Sequence, residues 1–176
     1  MQIFEGFEIL KAMPTKEEKC EIEHHLFGFV PIKGKYSVAR WLEDAKTKII
    51  EVQNRNKVPI FVGGSGMYLN AATKGLSSIP SISSHTRLKA TDLYERKGFD
   101  CLYKTLIALD TEGSLKIKIN DRQRLIRAYE VFLETGKPIW WWQSRPKLKP
   151  IINSSLKILI LPSKDKLYPK INERVD

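Results

Sequence analysis

Apolar positions along this chain follow two rhythms. The first repeats every three or four residues. Trp41, Ala45, Ile49 and Val52 recur this way between Arg40 and Val52, and Leu125, Tyr129, Phe132 and Leu133 do so after Arg122. That period puts one apolar stripe on a helix. Ser37 can cap the first helix and Asp121 the second, and Gly136 with Pro138 stops the second. The second rhythm is a short unbroken apolar run. Leu26–Val30, Val58–Val62 and Leu156–Leu161 are such runs, and each predicts a buried strand, with Pro59 tolerated at a strand start. Met1 to Ile9 predicts a short strand end and turn. Pro14-Thr15 predicts a helix start before the charged stretch Lys16 to His25, and Asn54 to Lys57 predicts a polar turn.

Order then suggests architecture. Val58–Val62 runs straight into Gly63-Gly64-Ser65-Gly66, and a helix over Met67–Thr73 ends at Gly75. Strand, glycine turn and helix predict an α/β fold with a parallel sheet. Leu76 to Ser84 is a Ser/Pro/Ile linker. After it come a helix over Arg87–Lys97 closed by Gly98, a short helix over Leu102–Leu109, and the helix from Arg122. Lys164 to Asp176 opens a last helix. The predicted division is residues 1–82 as part of an α/β core, 83–145 as a helical insertion, and 146–176 as the return to the core. No internal repeat is visible.

The chain has 176 residues, enough for a sizeable core, a formal net charge of +10 and a pI near 9.6. That balance favours a polyanionic partner, because lysines and arginines that neutralise phosphates release counterions. A merely lysine-rich surface is the blander alternative. Cys20 and Cys101 stand alone, with neither zinc spacing nor a disulfide framework, which suits a reducing cytoplasm. His24, His25 and His85 are too scattered to predict a metal site. No apolar run approaches the ~18 residues of a membrane span, and the N-terminus shows no signal segment.

Chemistry concentrates in two places. Arg122, Arg124 and Arg127 crowd the first two turns of their helix, where the macrodipole disfavours each positive charge by about 0.3–1 kcal/mol. They are either kept for an anion, such as RNA phosphate or pyrophosphate, or form a solvated basic helix end. Gly63-Gly64-Ser65-Gly66 sits where open α/β sheets bind ligands, with free helix N–H groups and the Ser65 hydroxyl. No Gly-x-x-x-x-Gly-Lys-Ser/Thr pattern and no Ser-His-Asp order occurs. Trp140-Trp141-Trp142 with Arg145 offers base stacking, although closing a core or meeting a partner is the more usual role of such a cluster.

Taken together these segments resemble one family. Val58 to Leu69 (Val-Pro-Ile-Phe-Val-Gly-Gly-Ser-Gly-Met-Tyr-Leu), Gly75 to Ser77, Asn120 to Val131 (Asn-Asp-Arg-Gln-Arg-Leu-Ile-Arg-Ala-Tyr-Glu-Val) and Thr135-Gly-Lys-Pro138 are similar to the tRNA dimethylallyltransferases. Pro14-Thr15, His24-His25-Leu26, Tyr36-Ser37, Glu43-Asp44-Ala45 and Lys170 to Asp176 fall in the family's order. The resemblance implies a P-loop-NTPase-like parallel sheet core, here incomplete, with an inserted helical subdomain. It implies transfer of a dimethylallyl group from dimethylallyl diphosphate to the exocyclic amine of the adenine 3′ to the anticodon, assisted by Mg²⁺. The partner would be the tRNA anticodon stem-loop, bound by a monomer away from any membrane.

Residue by residue, the resemblance assigns Gly63, Gly64 and Gly66 to the donor phosphates. Ser65, in the place of the usual Thr, goes to the target nucleotide. Arg87, Gln123, Arg124, Leu125, Ile126 and Arg127 go to the tRNA, and Gln2 to reading the adenine. Ser65 would then face Arg124 and Arg127 across a cleft. The family's general-base Asp and phosphate loop precede the position of Met1, and Leu10, Lys11 and Met13 replace the family's Gly, Thr and Lys. The first departure predicts impaired transfer, with a non-catalytic tRNA-binding remnant as the alternative. A P-loop kinase acting on a small nucleotide is a third reading, and the arginine helix counts against it.

Overall fold

The computed structural model describes residues 2–109, 111–118 and 120–175, and the side chains of residues 111 and 112 lie outside that description. Met1 and Asp176, which end two of the predicted segments, also lie outside it. The helices are α1 (Lys16–Glu21), α2 (Val38–Asn54), α3 (Gly66–Lys74), α4 (Ser84–Leu109), α5 (Thr111–Ser114), α6 (Arg122–Thr135), α7 (Ile139–Gln143) and α8 (Lys164–Val175). Among the described residues, none is long and apolar enough to cross a membrane. The chain divides into two compact units, Met1–Gly75 with Pro150–Asp176, and Leu76–Lys149.

In the first unit, local signals start the helices. Thr15 caps α1 through a reciprocal box: the Glu18 N–H donates to Thr15 Oγ1 at 3.2 Å and the Thr15 N–H to Glu18 Oε2 at 2.8 Å. At α2 the Arg40 N–H donates to Ser37 Oγ at 3.3 Å. The apolar stripe of α2 buries Trp41 and Ala45 against Ala72 of α3 and against Ile3. Trp41 meets Tyr68 edge-on at 5.1 Å and Phe61 at 6.1 Å, geometries aromatic quadrupoles favour. The returning chain docks on α3, where the Ile151 and Ile152 N–H groups both donate to the Ala72 carbonyl at 3.0 and 3.1 Å.

The predicted parallel sheet is not present among the described residues. Leu26–Val30 leaves only an isolated parallel bridge, Phe4 to Val30. Val58–Val62 and Leu156–Leu161 are not strands. The physical reason is pairing. A strand is completed by a neighbour's backbone groups, and among the described residues neither 58–64 nor 153–162 makes a backbone–backbone hydrogen bond. The β-branched sequence keeps its alternation regardless. Phe61 turns inward against Trp41, whereas Val58 and Ile60, both 82% exposed, turn out. The run was long enough to read as a strand buried on both faces, and only one face is covered.

In the second unit α4 packs along α6. Leu102 and Leu106 of α4 and Leu125 of α6 have no exposed surface, with Ala128 and Ile117 completing the cluster. Full burial of one such leucine contributes about 1.5–3 kcal/mol. Gly98 (φ 73°, ψ −174°) kinks α4, so the predicted helices on either side of it join into one kinked element. α6 runs from its Asp121 cap, whose side chain accepts from the Arg124 N–H at 3.1 Å, to left-handed Gly136. The unit closes where its chain ends meet: Ser77 bridges Lys147 antiparallel, and the Leu148 N–H donates to the Leu76 carbonyl at 2.8 Å. These bonds hold Leu76 and Ser77 within the second compact unit, Leu76–Lys149.

Candidate nucleic-acid interface

The glycine turn lies in the first unit. Ser65 stands at the N-cap of α3 without bonding the helix through its side chain. Its carbonyl accepts from the Tyr68 and Leu69 N–H groups at 3.0 and 3.3 Å, and its hydroxyl has no hydrogen-bond partner among the described residues. The hydroxyl therefore remains for a ligand. Gly63 holds φ 155°, which side chains rarely adopt, and a Cβ at Gly63 or Gly64 would meet nothing within 4 Å. The protein's own packing does not demand glycine at position 64. Bare backbone beside open helix N–H groups is what close approach of a phosphate needs.

Gln2 is in the same unit. Its Nε2 donates to the Ala12 carbonyl at 2.8 Å, which orients the amide and leaves Oε1 to accept from a base. The Lys11 ammonium is tied to the Phe4 and Glu5 carbonyls at 2.5 and 2.9 Å. Tyr36 donates to Asp44 Oδ2 at 2.5 Å, and burial first, then that carboxylate, pushes its phenol well above the usual range. This pair ties α2 to its own entry turn.

The basic residues lie in the second unit, and they are not equivalent. Arg122 is bound to Glu95 and lies over the Tyr94 ring at 4.9 Å. Arg127 pairs at 3.1 Å with Glu130, which is only 13% exposed. Arg124 is 71% exposed and reaches Asp121 Oδ2 at 3.2 Å. An exposed pair of this kind contributes about 0–1 kcal/mol, so a phosphate can take Asp121's place at little cost. Arg87 and Gln123 are exposed, and neither side chain has a partner among the described residues. Ile126 is half-buried. Leu125 requires a correction: it is fully buried in the α4–α6 core, so the side chain assigned to tRNA is unavailable. The helical period that names the arginines also turns Leu125 inward.

Glu95 and Lys137 escaped the sequence analysis, although Trp140-Trp141-Trp142 with Arg145 did not. Glu95, 27 positions from Arg122, is brought to it only by the α4–α6 packing. The Lys137 ammonium lies 5.7 Å over the Trp141 ring, beside the Arg145 guanidinium at 3.9 Å. A cation four positions either side of a tryptophan was the available signal. Among the described residues, no group of three or more His, Cys, Asp or Glu side chains is gathered as a metal site.

The chain is similar to known proteins along its length. A sequence pattern described as IPP transferase matches residues 2–176. A tRNA dimethylallyltransferase of Rickettsia felis is 40% identical over 100% of this chain and 57% of its own length, and one of Bartonella quintana is 39% identical over 100% and 59%. The chain thus spans little more than half the length of these relatives. Among solved structures, a eukaryotic dimethylallyltransferase acting on tRNA superposes with a TM-score of 0.64 and 25% identity, over 86% of this chain and 38% of that one. A tRNA isopentenylpyrophosphate transferase of Staphylococcus epidermidis gives 0.51 and 28%, over 99% and 57%. With the family's pattern running through both the glycine turn and the arginine helix, the chain belongs to the IPP transferase family.

Proposed function

We propose that this chain serves transfer of a dimethylallyl group from dimethylallyl diphosphate to the exocyclic amine of the adenine 3′ to a tRNA anticodon. The main support is that the family's pattern covers residues 2–176, including both polar elements. In this reading Gly63, Gly64 and Gly66 let backbone N–H groups approach the donor's diphosphate. Charge grows on that leaving group as the carbon–oxygen bond breaks, and preorganised donors aimed at it are the largest expected contribution to rate. The Ser65 hydroxyl holds the target nucleotide, and Gln2 Oε1 accepts from the adenine amine. Arg87, Gln123, Arg124 and Arg127 hold the anticodon stem-loop while the base is flipped out, at a cost of a few kcal/mol in stacking.

Among the described residues no donor set is gathered that would hold Mg²⁺. In this reading it arrives with the diphosphate, as Mg²⁺ does in many phosphate sites, and the protein works as a monomer in the cytoplasm.

A second reading, tRNA binding without transfer, draws on one observation. Arg87, Arg124 and Arg127 stand on a unit with a closed core of its own. Incubation with tRNA and radiolabelled donor separates the two. Label entering the RNA, and lost when the target adenine is replaced, supports transfer. Retention of tRNA without label supports the second reading, and the absence of both label and retention overturns both readings.

A further inference from the structure

The three tryptophans of α7 do three different jobs. Trp140 packs against the Leu102–Leu125 core. Trp142 donates its indole N–H to Thr135 Oγ1 at 3.1 Å, which fixes its ring. Trp141 does neither: it meets Trp142 edge-on at 4.9 Å and is otherwise overlaid by cations, Arg145 at 3.9 Å and Lys137 at 5.7 Å. None of the three is buried. Among the described residues, the charge beside it is positive and uncompensated, as it also is at Arg87. Arg96, Arg122, Arg124 and Arg127 each carry a carboxylate. Among the described residues no acidic partner is found for Lys137, Arg145, Lys147 or Lys149. The chain after α7 is extended at Lys147, where it bridges Ser77, and alternate residues of an extended segment share one side, about 7 Å apart.

We propose that Trp141 is a stacking platform for one unpaired nucleobase of an RNA strand, with Lys137, Arg145 and the Lys147–Lys149 segment as its backbone track. An entering base takes the place of the Lys137 ammonium, the looser of the two cations on the ring, and that ammonium moves to a phosphate. Aromatic faces beside a basic track are the recurrent recipe for single-stranded nucleic acid. An acidic protein would meet the same charges but offers no base for the ring, and an abasic strand separates charge from stacking. The platform rests on the tRNA reading above, but its test needs no donor and no chemistry.

The probe is a short single-stranded RNA, compared with an abasic oligonucleotide of equal charge, at fixed salt, read by tryptophan fluorescence quenching. The expected result is tighter binding and deeper quenching with bases present. Trp141→Ala should lower affinity for the base-containing strand by about 5- to 150-fold, the range one stacked base commands. Its effect on the abasic strand should be small, and Trp141→Phe should restore most of the loss. Equal affinity for both strands, or an unchanged Kd in Trp141→Ala with its melting curve intact, overturns the platform. If Arg124→Ala still weakens tRNA binding in that case, the tRNA reading survives the loss. If the wild-type chain binds neither the strands nor tRNA, both readings fall.

Discussion

Each arginine at the front of α6 has its own availability, and this makes its expected effect individual. Arg124 is the most exposed and the most weakly held. Arg124→Ala should reduce the salt dependence of tRNA binding by roughly one phosphate, a change of about 0.7–0.9 in the slope of log K against log salt. Arg122→Ala, which removes a group already bound to Glu95, should move that slope less. Titrations at four or five salt concentrations measure both. Glu134 gives a residue-scale prediction in pH. The Thr86 hydroxyl first, and Ser83 after it, hold its carboxyl below the usual value of 4.5, and Ser83 Oγ donates to it at 3.0 Å. A depressed carboxyl stabilises the fold above its unfolded pKa and loses that contribution as pH falls through the folded one. The urea midpoint should therefore drop as pH falls below about 4.5, and drop less in Glu134→Gln.

At the scale of elements, Gly98 holds a conformation nearly reserved for glycine. Open space around it offers a Cβ no clash, so Gly98→Ala isolates the backbone term, and chemical denaturation should show a loss of about 1–3 kcal/mol. Leu125→Ala, by contrast, opens a cavity in a fully buried position and should cost about 2–5 kcal/mol. The capped helices α1, α2 and α6 were legible because their causes are local: Thr15, Ser37, Asp121 and Gly136 each act within four residues of themselves, whereas α5 and α7 carry no such signal. Arg124 was legible as a candidate for the same reason, since a cap and a period fix which way it points. The strands were not. Val58–Val62 has the composition of a strand, but composition cannot supply the neighbouring backbone that completes one. Leu125 shares a motif with the arginines, but the spacing of that motif divides it between surface and core.

At the scale of the whole molecule, stability is unevenly spread. The α4–α6 core encloses Leu102, Leu106, Leu125 and Val131 completely, while Leu156 is 88% exposed and Ile160 84%. Amide exchange should accordingly be slow across α4 and α6 and fast at 58–64 and 153–162, where no backbone bond protects the N–H groups. Limited proteolysis should cut first in the same two stretches and leave a resistant fragment close to Leu76–Lys149. Uniform exchange across the chain would contradict this picture.

Those uncovered aliphatic stretches also set the conditions under which the protein can be handled. Kosmotropic salt drives apolar surface together, so these stretches should self-associate more as it rises, whereas RNA binding of the kind proposed should weaken over the same range. Purification and titration thus pull in opposite directions. A dilute buffer keeps particles dispersed and invites contaminating nucleic acid; a concentrated one strips the nucleic acid and invites precipitate.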